Sequence, residues 1–524
     1  STENRISNND QNGVVSSALQ MPPNFPVYNP DGSFNFDGNG KWRVGKDYQH
    51  NALLNPVALA NLTENKFNTT NMLGRIYLGY QLLKELKYEI AAGSTLNTYR
   101  NDYYRPSILP NLGQQYYLTP SNPTAKTGSA FIYNWVIEQT LNYARSFGKH
   151  QLKVLGGFTA QKNGLKQSTV TATNFPNDLV HTINAGQVTT GDASEQEWSL
   201  LSSLGRVQYD FNGRYLASLA FRADGSSRFG SRNKWGYFPS GSVGWNISAE
   251  EFMKSVRAVS NLKLRASYGL TGNFQIGNYE AIASLDNDNY ILGSGSGQIA
   301  SGLVAKNVAN PDLGWEKSAM VNFGMEAGFF DQRVTLGIDV YNRNTSDLLL
   351  NVPVPLTTGF ETARQNIGKV NNKGLEASLG FNNRWNDLTL NASANIAFNR
   401  NTVKALGPGN TSIIQTAGTA NTFFITRVGD PIGSYYFLKE NGVYLNQADL
   451  DANPHFGNAR PGDFKFEDID GDGELDVNKD RAIVGNYFPD YTFGCNLSLS
   501  YKGIDLGASL YGVQGVEVVN LLRR

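Results

Sequence analysis

One cysteine, Cys495, occurs in 524 residues, which excludes an internal disulfide and with it any cysteine-stapled scaffold. Cys495 alternates with Phe493 and Leu497 along one apolar face, which suits a small apolar side chain and not a nucleophile. Neither sign of charge is in excess, 45 Lys and Arg standing against 45 Asp and Glu. Duplex binding draws on clustered cations, so the balance argues against nucleic acid as a partner. The four histidines, His50, His150, His181 and His455, lie far apart with no second ligand at metal spacing, and read as loop or strand residues. G-x-S-x-G and G-x-x-x-x-G-K-[ST] are also missing, and the glycines Gly293, Gly295 and Gly297 read as a flexible loop. The chain therefore carries no recognisable catalytic frame and is expected not to be an enzyme. No run approaches the ~18 apolar residues of a membrane helix. That leaves open a membrane β-barrel, whose alternating lipid-facing and lumen-facing residues average to a polar mean hydropathy. Ser1 opens without an initiator Met or an apolar leader, so it is expected not to begin the gene product.

Charged residues make up only 17% of the chain, and their share has gone to 54 Gly, 58 Asn and 61 aromatics, the composition of many strands joined by many turns. From Ala319 to Phe329 the apolar set Ala319, Val321, Phe323, Met325, Ala327 and Phe329 recurs every second residue. After a turn at Asp331-Gln332 the pattern resumes with Val334, Leu336, Ile338 and Val340, which makes a hairpin. Further hairpins turn at Asn383 to Asp387, Lys502-Gly503, Asn212-Gly213, Lys84-Glu85 and Gly148-Lys149. These short turns alternate with long segments at about 100–130, 163–200, 271–315, 347–370 and 403–489. Tight turns at one end and long loops at the other are the asymmetry of an outer-membrane barrel. Several strands exceed the 5–6 residues usual in soluble sheets and reach the 9–11 of a tilted span. The expected fold class is all-β, a transmembrane antiparallel β-barrel with 14 to 16 strands in this chain. Ser248 to Val256 reads as one short helix capped by Ser248.

The run Asp468-Ile469-Asp470-Gly471-Asp472-Gly473-Glu474-Leu475-Asp476 places side-chain oxygens at positions 1, 3, 5 and 9 and glycine at 6. That is the spacing of a calcium loop, in which alternate carboxylates wrap a hard cation. Position 12 is Lys479, and Asp480 follows one residue late, so either the loop is one residue longer or Asp480 reaches in by its own local geometry. The competing reading is an acidic cluster that is simply solvated. The candidate ligands for Ca2+ are Asp468, Asp470, Asp472, Glu474, Asp476 and Asp480. Strand parity puts their segment, 461–485, on the extracellular side.

Phe221 to Phe252 (FRADGSSRFGSRNKWGYFPSGSVGWNISAEEF) resembles a signature of SusC-like TonB-dependent outer-membrane transporters. So do Leu262 to Asn273, Asn310 to Glu316 (NPDLGWE), Tyr341 to Leu348, Val370 to Glu376 and Pro461 to Gly485. The resemblance implies a 22-stranded barrel in the outer membrane, occluded by an N-terminal plug, energised through TonB and lidded by a SusD-like lipoprotein that captures oligosaccharides or peptides. Neither plug nor TonB box is recognisable, and the final residues do not form a terminal aromatic strand. Residues 1–524 are thus expected to be the middle and later part of such a barrel, set in outer-membrane lipid. Ring-rich loops suit sugars, which stack on aromatics, and Tyr103, Tyr104, Tyr116, Tyr117, Phe274, Tyr279, Tyr290, Phe423 and Phe424 are of this kind, though equally suited to packing loop on loop or on the lid. A passive porin, or a secreted calcium-stabilised glycan-binding adhesin, is the alternative.

Overall fold

The computed structural model describes residues 2–6, 14–21, 26–35, 55–109, 111–112, 118–119, 122–293, 298–417 and 422–519. A single antiparallel sheet of 15 strands follows the chain order throughout. Its strands are β1 (Thr2–Ile6), β2 (Glu64–Leu83), β3 (Leu86–Arg105), β4 (Thr124–Phe147), β5 (His150–Thr173), β6 (Gln187–Phe211), β7 (Tyr215–Ser226) and β8 (Trp235–Asn246). They continue as β9 (Val259–Asn273), β10 (Glu316–Phe329), β11 (Val334–Pro353), β12 (Thr362–Trp385), β13 (Leu388–Ala405), β14 (Tyr491–Tyr501) and β15 (Ile504–Gln514). Each strand pairs with the one before it, so every connection is a hairpin and no strand crosses over.

Alternation sorts the side chains. Directly opposed residues share a face, and Leu379, Leu336, Ala394 and Cys495 all fall on one side of the wall. Ser378, Gly337, Asn395 and Gly494 fall on the other. The apolar face is bounded by rings, with Tyr215, Trp245, Trp385 and Tyr501 near the short turns and Tyr237, Phe221, Tyr268, Phe398 and Tyr491 toward the other end. Two aromatic girdles around an apolar band are what a lipid-facing wall presents. The polar face instead pairs its charges: Arg265 meets Asp339 at 2.7 Å and Glu326 at 3.3 Å, and Arg222 meets Asp224 at 2.7 Å.

The two ends differ as the pattern requires. Six connections at one end run four residues or fewer and a seventh, 247–258, is longer; in the one after β6 Asn212 and Gly213 both hold positive φ, 57° and 67°, as a type I′ turn demands. At the opposite end lie the described residues of the connections 7–63, 106–123, 174–186, 227–234, 274–315, 354–361 and 406–490. The last of these carries its own small sheet of Ile413–Ala417, Thr422–Thr426, Ser434–Leu438 and Arg481–Gly485.

Three local expectations are corrected. Ser248 to Val256 is not one helix but two 3-10 turns, Ile247–Ala249 and Glu251–Met253, and Ser248 donates to Asn246 Oδ1 and caps nothing. The Glu250 carboxylate accepts from Tyr215 Oη, Trp245 Nε1 and Arg214 Nη1, pinning the segment to the neighbouring hairpin before a helical nucleus of adequate length can form. Residues 347–370, expected as a long segment, are mostly strand too, since β11 and β12 stay paired as far as Pro353 and Thr362 and leave only 354–361 between them, and residues 163–200 are mostly strand because β5 and β6 stay paired as far as Thr173 and Gln187. The upper halves of β5 and β6 are wet on both faces and held by cross-strand ion pairs, Lys162 with Glu197 and Lys166 with Glu195, so they lack the apolar period that marks a strand.

The two faces of β13 give a direct test. Replacing Ala394 by Arg puts charge in the apolar band and should cost ~2–4 kcal/mol on unfolding from liposomes, while Ser393→Arg, one residue away on the polar face, should cost under ~1 kcal/mol. Equal costs would contradict the assignment of faces.

Candidate functional site at the long-loop end

The densest motifs of the sequence converge where β6 to β12 meet their loops. Between β7 and β8, Gly230 N donates to Leu313 O at 2.9 Å, and a Cβ on Gly230 would collide with the Pro311 carbonyl, so the approach needs glycine. Arg232 Nη1 holds Asp312 at 3.1 Å, Asn233 Nδ2 donates to Asp312 O at 2.6 Å, and Trp315 Nε1 donates to Lys234 O at 3.0 Å. Asn366 clasps Gly314, accepting from its N at 2.9 Å and donating to its O at 2.8 Å, and Glu316 Oε1 accepts from Leu349 N.

These bonds enclose a core of Leu200, Phe229, Phe238, Ile276, Leu313, Trp315 and Leu349. The Trp315 ring lies 4.9 Å from Phe229 and 5.3 Å from Phe238. Arg228 packs over Trp198 and Phe274, bonds Asn278 Oδ1 and Phe274 O, and has its pKa pulled down by burial, with Glu280 opposing. The motifs at 221–252, 262–273, 310–316 and 341–348 therefore form one knot that fixes loop 274–315 over the end of the wall. Their residue types are dictated by packing and backbone approach, and their separation in sequence hid the knot.

The candidate aromatics divide on this geometry. Tyr104 is buried, donates to Asp178 Oδ1 at 2.7 Å and stacks on His181 at 4.0 Å. Phe274 belongs to the knot, Phe423 lies under Arg481 at 3.4 Å, and Phe424 meets Tyr435. Tyr103 is half-buried on β3. Tyr279 and Tyr290 stay exposed, Tyr279 Oη accepting from Glu197 N at 3.0 Å. Tyr116 and Tyr117 lie outside the described residues, as does His50.

The acidic segment lies between Phe464–Phe466 and Arg481–Gly485. One oxygen from each of Asp468, Asp470 and Asp472 falls within 4.8 Å of the others. Gly471 and Gly473 take φ of 73° and 87°, and Asp468 accepts from both of their amides. Asp480 is fully buried and closes the loop, Oδ1 accepting from Ile469 N and Oδ2 from Asp476 N. Those backbone bonds hold its carboxyl below the usual carboxylate range, the Asp476 amide having the largest effect. Asp476 accepts from Asn478 N, and Glu474 is exposed at the rim. The Lys479 ammonium sits 2.8 Å from Asp472 and 4.0 Å from Asp470, lowering the Asp472 carboxyl as well.

The family described as TonB dependent receptor-like, beta-barrel matches residues 4–518. TonB-dependent receptor P3 of Formosa agariphila is 32% identical over 99% of this chain and 51% of its own length. TonB-dependent receptor SusC of Bacteroides thetaiotaomicron is 29% identical over 96% of this chain and 50% of its own. The chain thus spans about half the length of the relatives it matches. Among solved structures, the RagAB peptide importer in its closed-closed state superposes with a TM-score of 0.77 at 25% identity, covering 96% of this chain and 53% of that one.

The knot makes a quantitative prediction. Trp315→Ala should destabilise the loop end by ~3–5 kcal/mol and open residues 274–315 to limited proteolysis, while the wall stays intact in detergent. Unchanged cleavage would show that the motifs do not hold the loop.

Proposed function

We propose, for a chain that belongs to the TonB dependent receptor-like β-barrel family, that the protein of which these strands are part imports oligosaccharides or oligopeptides across the outer membrane. TonB supplies the force through a plug, and a SusD-like surface lipoprotein lids the long-loop end, which faces outward. The family accounts for the absence of catalytic motifs: its relatives are TonB-dependent receptors, and the chain is not an enzyme.

The observation that carries the reading is the likeness to the RagAB peptide importer along 96% of the chain at a TM-score of 0.77. The SusC relative supports the lid partnership, and exposed Tyr279 and Tyr290 supply rings for a ligand. The described sheet has two edges, β1 and β15, each with one neighbour. Unpaired edges are not tolerated in hydrocarbon, so further strands complete the wall, in the manner of a 22-stranded barrel. This argues against a porin closed by these 15 strands alone.

Cells lacking the gene should lose uptake of a labelled oligosaccharide or peptide, and wild-type cells should lose it when the proton-motive force is collapsed. Uptake that survives the collapse would show a passive channel. We also propose that the segment 461–485 binds Ca2+ through Asp468, Asp470 and Asp472, with Glu474 and Asp476 at the rim and Asp480 bracing the loop. The ion would displace the Lys479 ammonium, replacing carboxylate repulsion by shared coordination. Chelation with EDTA should speed cleavage of this loop and added Ca2+ should reverse it, with Asp470→Asn indifferent to both. Equal cleavage under all conditions would show a cluster held by Lys479 alone.

A further inference from the structure

On the apolar face of β11 to β13 the last hydrophobic row is Val340, Leu375 and Phe398, each directly opposite the next. One row nearer the long loops stand Asn342, Lys373 and Arg400, again directly opposed and, two residues along each strand, on the same outward face. Lys373 and Arg400 are exposed, and among the described residues neither side chain has a carboxylate partner, a hydrogen bond or a ring beneath it. Arg265 and Lys162 on other strands are met by Asp339 and Glu197, whereas Lys373 and Arg400 are two unpaired cations set directly opposite one another.

Two like charges on directly opposed residues repel, more strongly at the edge of hydrocarbon than in open water. Beside them the wall is notched. The β13–β14 ladder ends at Ala397 and Thr492, and beyond it opens a cavity of about 890 Å3 lined by Phe323, Phe398, Phe488, Lys373 and Arg400. Two carboxylates also line it. Asp430 is occupied by Arg427 at 2.6 Å. Asp490, in the bend just before Tyr491, has its carboxylate against the Gly515 backbone, and no ion pair joins it to Lys373 or Arg400.

We propose that Lys373 and Arg400, assisted by the Asn342 amide, bind the phosphate group of an anionic lipid in the leaflet on the long-loop side. Its acyl chains lie along Val340, Leu375 and Phe398. A phosphate suits the pair because a guanidinium grips two of its oxygens while an ammonium supplies a point charge. The hydrophobic row immediately below distinguishes a lipid from a free anion, which has no use for it. A shared phosphate converts the repulsion into joint coordination at the depth where headgroups lie.

The test is native mass spectrometry of the full-length protein purified in mild detergent, offered a phosphorylated lipid or the same lipid after enzymatic dephosphorylation. The wild type should retain the phosphorylated form at least ~10-fold better. The double variant Lys373→Gln and Arg400→Gln should lose that preference, and the charge-preserving exchange Lys373→Arg with Arg400→Lys should keep it. Inorganic phosphate at millimolar concentration should not displace the lipid. Equal retention of both lipids by the wild type would overturn the site without recourse to any variant. Displacement by inorganic phosphate would reassign it to a free anion and overturn the lipid.

Discussion

Inside hydrocarbon no water completes the hydrogen bonds of the backbone, so each strand must lie beside another over its whole depth. The ladder of 15 consecutively paired strands is the response, and the other features follow from it. Consecutive pairing forces every second connection to the same end, which allows tight turns such as Asn212-Gly213 at one end and loops as long as 406–490 at the other. A single wall between lipid and lumen forces the period of two, with Leu379 and Ala394 on one side and Ser378 and Asn395 on the other. Because the wall itself is so constrained, the proposed recognition of a ligand falls to the loops.

The loops are organised by a second rule, the satisfaction of backbone groups at close approach. Gly230 against Pro311 and Leu313, Asn366 against Gly314, and Trp315 against Lys234 are bonds between segments distant in sequence. They turn family motifs into a rigid mount for the loop at 274–315. These motifs leave Tyr279 and Tyr290 exposed.

The period-two strands, the hairpin at Asp331-Gln332 and the end-to-end asymmetry were all legible in the sequence, because lipid on one side and lumen on the other write themselves into alternate residues. The upper halves of β5 and β6 were not. There both faces are wet, and Lys162–Glu197 and Lys166–Glu195 do the pairing that apolar residues do lower down. The short helix anticipated at Ser248 failed because Glu250 is drawn to Tyr215, Trp245 and Arg214, partners that local propensity cannot see. Aromatic composition pointed at Tyr104 and Phe274, but a ring that stacks on a sugar reads the same in sequence as one that stacks on His181 or meets Trp198 edge to face. The spacing of Asp468, Asp470 and Asp472 was readable, whereas the closure of their loop by Asp480 through two backbone amides needed coordinates.

The central claim is that one face of this sheet lies in lipid and the other lines a hydrated interior. Single spin labels placed in turn at residues 374–381 of β12, with Cys495 replaced by Ser and the full-length protein in liposomes, test it most directly. The account predicts that accessibility to oxygen peaks at 375, 377, 379 and 381, and that accessibility to a water-soluble nickel chelate peaks at the residues between. Accessibility that rises and falls without a period of two, or peaks for both reagents at the same residues, would contradict it.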